Sequence, residues 1–219
     1  MRVASLTPAG TDILEAIGGL GLLDTSGHAA DADVVLLGEP QAARFGPSAT
    51  VVFVHPRSIE DVLDDIVRVG EACGLAAAAD RVMVALRARY CDAQNAVNAF
   101  VDGPTVAVLT ALNPLQAAGF WVPGMVVAAG GRPVGPPPGD PPRVMTPDQL
   151  AQARPDRLVV ATAEATAAAQ IEAIRKTPWW SRLPAVKQGR VAVRGGGAFT
   201  RPGPRLIEDF EWLAAWLNR

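Results

Sequence analysis

From Ala76 to Val101 the chain runs without a proline and keeps helical spacing, with Val82, Leu86, Val97 and Phe100 among its apolar positions and arginines between them. A helix of about 25 residues rises roughly 38 Å, long enough to bridge two lobes. Gly103-Pro104 stops it, and short apolar runs alternate with helical periodicity on both sides. This pattern predicts an α/β protein of two small lobes with mostly parallel sheets: an N-terminal lobe over 1–75, a linking helix over 76–102 and a C-terminal lobe over 103–219.

In the first lobe, Arg2 to Leu6 reads as a strand and Thr7 to Gly10 as a turn. Thr11-Asp12 then caps a helix carrying Ile13, Leu14 and Ile17. Val34 to Leu37 and Val51 to Val54 fit buried parallel strands, separated by a loop from Gly38 to Ser48. Ser58 and Asp61 have capping-box spacing ahead of Ile59, Val62, Leu63, Ile66 and Val67. In the second lobe, Thr105 to Ala111 is a strand, and a loop from Leu112 to Gly124 leads into a short helix from Pro123 to Ala129. Residues 130–143, rich in proline and glycine, read as a stiff irregular crossing. Thr146-Pro147-Asp148 starts a helix, Leu158 to Ala161 is a strand, Ala163 to Lys176 a helix and Arg190 to Val193 a strand.

That last strand delivers the chain into Gly195-Gly-Gly-Ala-Phe-Thr-Arg-Pro-Gly-Pro-Arg205. Pro202 and Pro204 suit a helix's first turn, and Leu206, Phe210, Leu213 and Leu217 follow at helical spacing, so a helix is expected from near Pro202. Its unpaired N–H groups, with Arg201 beside them, suit an anionic or carbonyl-rich ligand. Equally, the glycines make a strand-to-helix turn and Arg201 pairs locally. The turn at Thr7 to Thr11 is either a ligand wall at the carboxyl end of a strand or an ordinary connection. Phe120 and Trp121 either face a ligand or staple their helix to the sheet.

The 219 residues are 49% apolar, ample for packed cores, and the net charge of −2 comes without a basic block, which disfavours nucleic acid. No apolar run approaches the roughly 20 residues that span a bilayer. Cys73 and Cys91 have no metal or redox spacing, and His28 and His55 lie far apart, so no metal site is expected. Catalytic signatures such as G-x-S-x-G and H-E-x-x-H are missing. Carboxylate pairs such as Asp64-Asp65 and Glu60-Asp61 read as a solvated helix face. The balance favours binding over catalysis, with no cofactor required. Met1 leads at once into strand-like residues, which reads as a cytoplasmic chain; a chain trimmed of an export leader would look the same and be periplasmic or extracellular.

Three stretches together, Arg2 to Thr11, Gly119 to Gly131 and Phe199 to Leu206, with Pro178-Trp179-Trp180 between the last two, resemble the cobalamin-type substrate-binding proteins of ABC importers. The resemblance implies two α/β lobes joined by a rigid helix, with a corrinoid-like ligand, cobalamin or a relative, held in the cleft between them. It implies a wall of Pro8, Ala9 and Gly10 from the first lobe and of Phe120, Trp121, Phe199 and Arg201 from the second, with Asn113 and Arg201 meeting the ligand's amides and phosphate. An ABC permease is the implied partner. Between Thr25 and Val51 the chain is shorter than such proteins by about one strand and helix, where acidic docking surface would lie. A cytosolic enzyme or enzyme subunit, or an interaction module, that reuses the fold is the alternative.

Overall fold

The structure, a computed structural model, describes residues 1–24, 31–39, 45–97, 103–161, 169, 172 and 175–219. It forms two compact α/β units, Met1–Tyr90 with Arg201–Ile207, and Cys91–Thr200 with Glu208–Arg219.

In the first unit, β1 (Val3–Ser5), β2 (Val34–Leu37) and β3 (Thr50–Phe53) make a parallel sheet in the order β1-β2-β3. All four residues of β2 are buried, as a central parallel strand of continuous aliphatic residues should be. Helix α1 (Pro8–Ala16) buries Ile13 and Leu14. Helix α2 (Ile59–Ala72) buries Ile59, Val62, Leu63, Ile66 and Val69, the i, i+3, i+4 stripe of its sequence. Its capping box forms as expected: Ser58 Oγ accepts from the Asp61 amide at 3.1 Å, and the Asp61 carboxylate accepts from the Ser58 amide at 3.0 Å.

The solvated-face reading of Asp64-Asp65 is corrected at Asp65, which is 1% exposed. It pairs with Arg68, whose Nη2 also donates to the Phe53 carbonyl at 3.0 Å, while Asp65 Oδ2 is buried without a hydrogen-bond partner. Spacing alone puts Asp65 between Val62 and Val69, inside the apolar stripe. Burial pushes its carboxyl up to about 6, with Arg68 opposing.

Helix α3 (Ala76–Asn95) follows, and the division between the units falls within it. It ends at Asn95, short of the Val101 read from the sequence; residues 98–102 lie outside the described residues, as does most of the helix read from Ala163 to Lys176.

The second unit is built on β4 (Thr105–Leu112), in a sheet ordered β7-β5-β4-β8-β9 with β6 also on β4. Strands β8 (Arg157–Val160) and β9 (Val191–Val193) run parallel to β4's direction. The expected loop after β4 is instead a hairpin: β5 (Leu115–Ala117) turns back antiparallel across Asn113-Pro114, whose peptide bond is cis. The proline-rich crossing also contains short strands, β6 (Arg132–Val134), parallel to β4, and β7 (Arg143–Val144), antiparallel to β5. Pro133 is tolerated because β6 lies at an edge, where a missing N–H breaks no ladder.

Helix α4 (Trp121–Ala128) starts two residues earlier than its sequence suggests, and α5 (Pro147–Ala153) begins with a capping box of Thr146 and Gln149. A core of Leu109, Leu112, Leu150, Leu158, Trp180 and Leu183 lies against α5 and the short α6 (Pro184–Lys187). Helix α7 (Leu206–Leu217) starts at Leu206 rather than near Pro202, because Gly203 donates back to the Arg201 carbonyl and Leu206 to Gly203, two turns that precede the helix. At its other end Arg157 Nη2 donates to the carbonyls of Leu217 and Arg219, at 3.3 and 3.1 Å, satisfying last-turn acceptors with a positive charge.

Candidate functional site

The candidate residues of the first unit sit where β1 passes into α1. The expected turn at Thr7 to Gly10 is the first turn of that helix, with Thr7 as N-cap and Pro8 at its start. Ser5 Oγ donates to the Thr7 carbonyl at 2.9 Å and Thr11 Oγ1 donates to Ser5 Oγ at 3.0 Å, so two hydroxyls fix the entry. Ala9 and Gly10 are buried and Pro8 is exposed. A side chain at Gly10 would put its Cβ 2.9 Å from Leu36 Cβ and 3.0 Å from Ser5 Oγ, so this glycine lets α1 lie close on the sheet. Ala9 and Gly10, expected in a ligand wall, thus serve packing, and of the three only Pro8 presents its side chain to solvent.

Arg201 joins this unit rather than the second lobe from which it was expected. Its Nη2 donates to Asp12 Oδ1 at 2.9 Å, and the pair is asymmetric, with 46% of the arginine side chain exposed against 16% of the aspartate. Pro8 and Asp12 are four apart on α1 and so lie on the same side of that helix. Burial raises the Asp12 carboxyl above its ordinary value, with Arg201 opposing.

In the second unit the candidates gather at the start of α4. Phe120 takes a left-handed backbone, with φ of 53°, locked from both sides: its amide donates to the Asp140 carbonyl at 2.6 Å and its carbonyl accepts from the Gly139 amide at 2.9 Å. Its ring stacks on Trp121, with centroids 5.9 Å apart. Trp121 is only 8% exposed and its Nε1 donates to the Phe199 carbonyl at 3.0 Å. Asn113 is exposed at the tip of the β4–β5 hairpin.

Phe199 is 1% exposed and also left-handed, with φ of 61°. Its amide donates to Asp209 Oδ2 at 3.0 Å and its ring meets Trp212 edge-on at 6.1 Å. Phe199, expected to offer its face to a ligand, is a packed anchor of the glycine loop. Asp209 organises that loop, since its other oxygen faces Arg194 Nη2 at 3.4 Å, and Arg194 lies 4.7 Å over the Trp212 ring. Trp212 stacks on Trp216 at 5.4 Å, and Arg157 covers Trp216 at 5.1 Å, giving an Arg–Trp–Trp–Arg column along α7.

Asp12 and Asp209 are the organising residues that sequence reasoning missed. Each is an acid inside a helix whose partner, an arginine or an amide, lies in the glycine loop. The signal for Asp209 was its place beside Phe210 on the apolar side of α7; nothing in the sequence linked Asp12 to Arg201.

Among the described residues no group of His, Cys, Asp and Glu is arranged to hold a metal ion, and no helix is long and apolar enough to cross a membrane. His28 lies outside the described residues, and His55 is exposed after β3. Cys73 is buried and Cys91 exposed, both as free thiols.

The model of the periplasmic binding protein family matches residues 31–195 of the chain. No curated protein sequence matches it. Among solved structures, the periplasmic heme-binding protein RhuT from Roseiflexus sp. RS-1 is similar at 19% identity and a TM-score of 0.77, covering 99% of this chain and 97% of that one. The periplasmic vitamin B12 binding protein BtuF of Vibrio cholerae is similar at 17% identity and a TM-score of 0.77, covering 99% and 96%. A periplasmic binding protein from Veillonella parvula dsm 2008 reaches a TM-score of 0.82 at 12% identity, covering 99% and 90%. At such identities the likeness establishes the fold.

Proposed function

The chain belongs to the periplasmic binding protein family, and from that premise we propose that it binds, without transforming it, a corrinoid-like small molecule such as cobalamin. The observation that carries this reading is the guanidinium of Arg201, half-exposed and held by Asp12 of α1. It offers fork-shaped donors suited to a phosphate or to amide carbonyls, both present on a corrinoid. The second unit, taken by itself, offers Asn113 as a donor and Phe120 as an aromatic edge, stacked on Trp121 so that its ring is rigid. Ala9 and Gly10 in the first unit and Phe199 in the second are buried, and each holds backbone in place within its own unit. An ABC permease is the partner that the reading implies.

Calorimetric titration of the whole chain with cobalamin, haem and a ferric hydroxamate tests it. Saturable one-to-one binding of cobalamin, weakened by Arg201→Ala, is the expected result. Saturable binding of haem or the hydroxamate alone would move the ligand class while keeping the binding role, and no heat with any of the three would overturn the reading.

A further inference from the structure

We infer that Asp12 is a positioning residue for ligand recognition: its carboxylate fixes the Arg201 guanidinium on α1 and leaves the outward donors aimed at the ligand. This rests on the reading of Arg201 as a ligand contact.

Two independent features support it. First, the ion pair joins residues 189 positions apart, and it is half-buried at its acidic end and more open at its basic end. A carboxylate oxygen engages Nη2 alone at hydrogen-bond distance, and an arginine has five N–H donors, so recognition capacity remains after the pair is made. An exposed arginine without such an anchor samples many rotamers, and each must be given up on binding; an anchored fork has surrendered most of that freedom beforehand.

Second, the backbone is fitted to the same acid. A Cβ added at Gly203 would lie 3.2 Å from Asp12 Cβ and 3.5 Å from its Oδ2, so the glycine seats the segment directly on Asp12. The Gly203 amide closes a turn onto the Arg201 carbonyl at 3.0 Å, and Pro202 restricts the residue between. Side chain and backbone therefore converge on one carboxylate. The raised pKa of Asp12 agrees with a carboxyl partly withdrawn from water, for which Arg201 is the compensating charge. Its other charged neighbours are Glu15 on α1 and Arg205 beyond the turn.

The test is a double-mutant cycle on the whole chain with cobalamin as the probe, using Asp12→Asn, Arg201→Ala and the pair, with Asp12→Glu as the conservative variant. The expected result is that Asp12→Asn weakens binding about tenfold when Arg201 is present and leaves affinity unchanged in the Arg201→Ala background, while Asp12→Glu restores part of the loss. Amide exchange at 201–206, followed in the same variants without ligand, should rise in Asp12→Asn. Equal loss in both backgrounds, or unchanged exchange, would overturn the proposal while the binding role stands. A wild-type chain that binds no cobalamin would instead overturn the parent reading, and the ligand role of Asp12 with it.

Discussion

Trp121 donates its indole N–H to the carbonyl of Phe199 at 3.0 Å, tying the start of α4 to the glycine loop 78 positions later. Both side chains are buried, so this contact links two candidate segments through packing rather than through a ligand. Trp121→Ala should therefore cost about 3–5 kcal/mol of stability through the cavity alone. Trp121→Phe should cost about 1–3 kcal/mol, chiefly for the carbonyl left without a donor. Chemical denaturation of both variants checks the order. A Trp121→Ala protein as stable as the wild type would show that the indole is not part of the core.

Removing Asp209 should loosen the same loop from the other side. Asp209→Ala strips the acceptor from the Phe199 amide and the counter-charge from Arg194, a loss of about 2–4 kcal/mol. Amide exchange should accelerate over 195–200 before any change in β4. Uniform acceleration over the whole unit would mean that Asp209 supports the core at large.

The buried Asp65 gives the first unit a pH dependence of definite sign. Its folded carboxyl is raised from 3.8 to about 6, so the folded state holds the proton more tightly than the unfolded chain. Its contribution to stability is full below pH 3.8, is lost as pH rises through about 6, and is a constant cost above, at most about 3 kcal/mol. Asp65→Asn should therefore be more stable than the wild type at pH 7.5, with the difference closing towards pH 4. Melting temperatures across that window decide it, and parallel curves for the two proteins would remove Asp65 as the source.

Gly10→Ala should destabilise by about 1–3 kcal/mol, since the new methyl would stand 2.9 Å from Leu36 Cβ and α1 must lift from the sheet to admit it. Equilibrium unfolding in urea measures the loss. A neutral outcome would show that α1 shifts without cost.

Elements that follow from periodicity were legible in the sequence. The stripe of α2, the all-aliphatic β2, the capping box at Ser58 and the helix start at Thr146 each depend on residues within a few positions of one another. Features that depend on distant partners were not. The positive-φ backbones of Phe120 and Phe199, which the Asp140 carbonyl and the Asp209 carboxylate hold in place, have no signal among neighbouring residues. Strand β6 was hidden because its three residues include a proline and gain strand character only by lying along Thr105 to Ala107. Pro202 and Pro204 suggested an early helix start, yet prolines suit a tight turn equally well, and Gly203 between them supplies it.

The segment 201–207 packs with Met1–Tyr90, although the chain on both sides of it belongs to the other unit. The first unit is thus discontinuous in sequence. Cutting after Tyr90 would release a fragment that lacks part of its own surface, Arg201 included. During synthesis, residues 1–90 wait until Ile207 has left the ribosome before this unit is complete. Its last piece arrives bearing the arginine proposed to meet the ligand, which makes completion of the first unit and completion of that surface a single event.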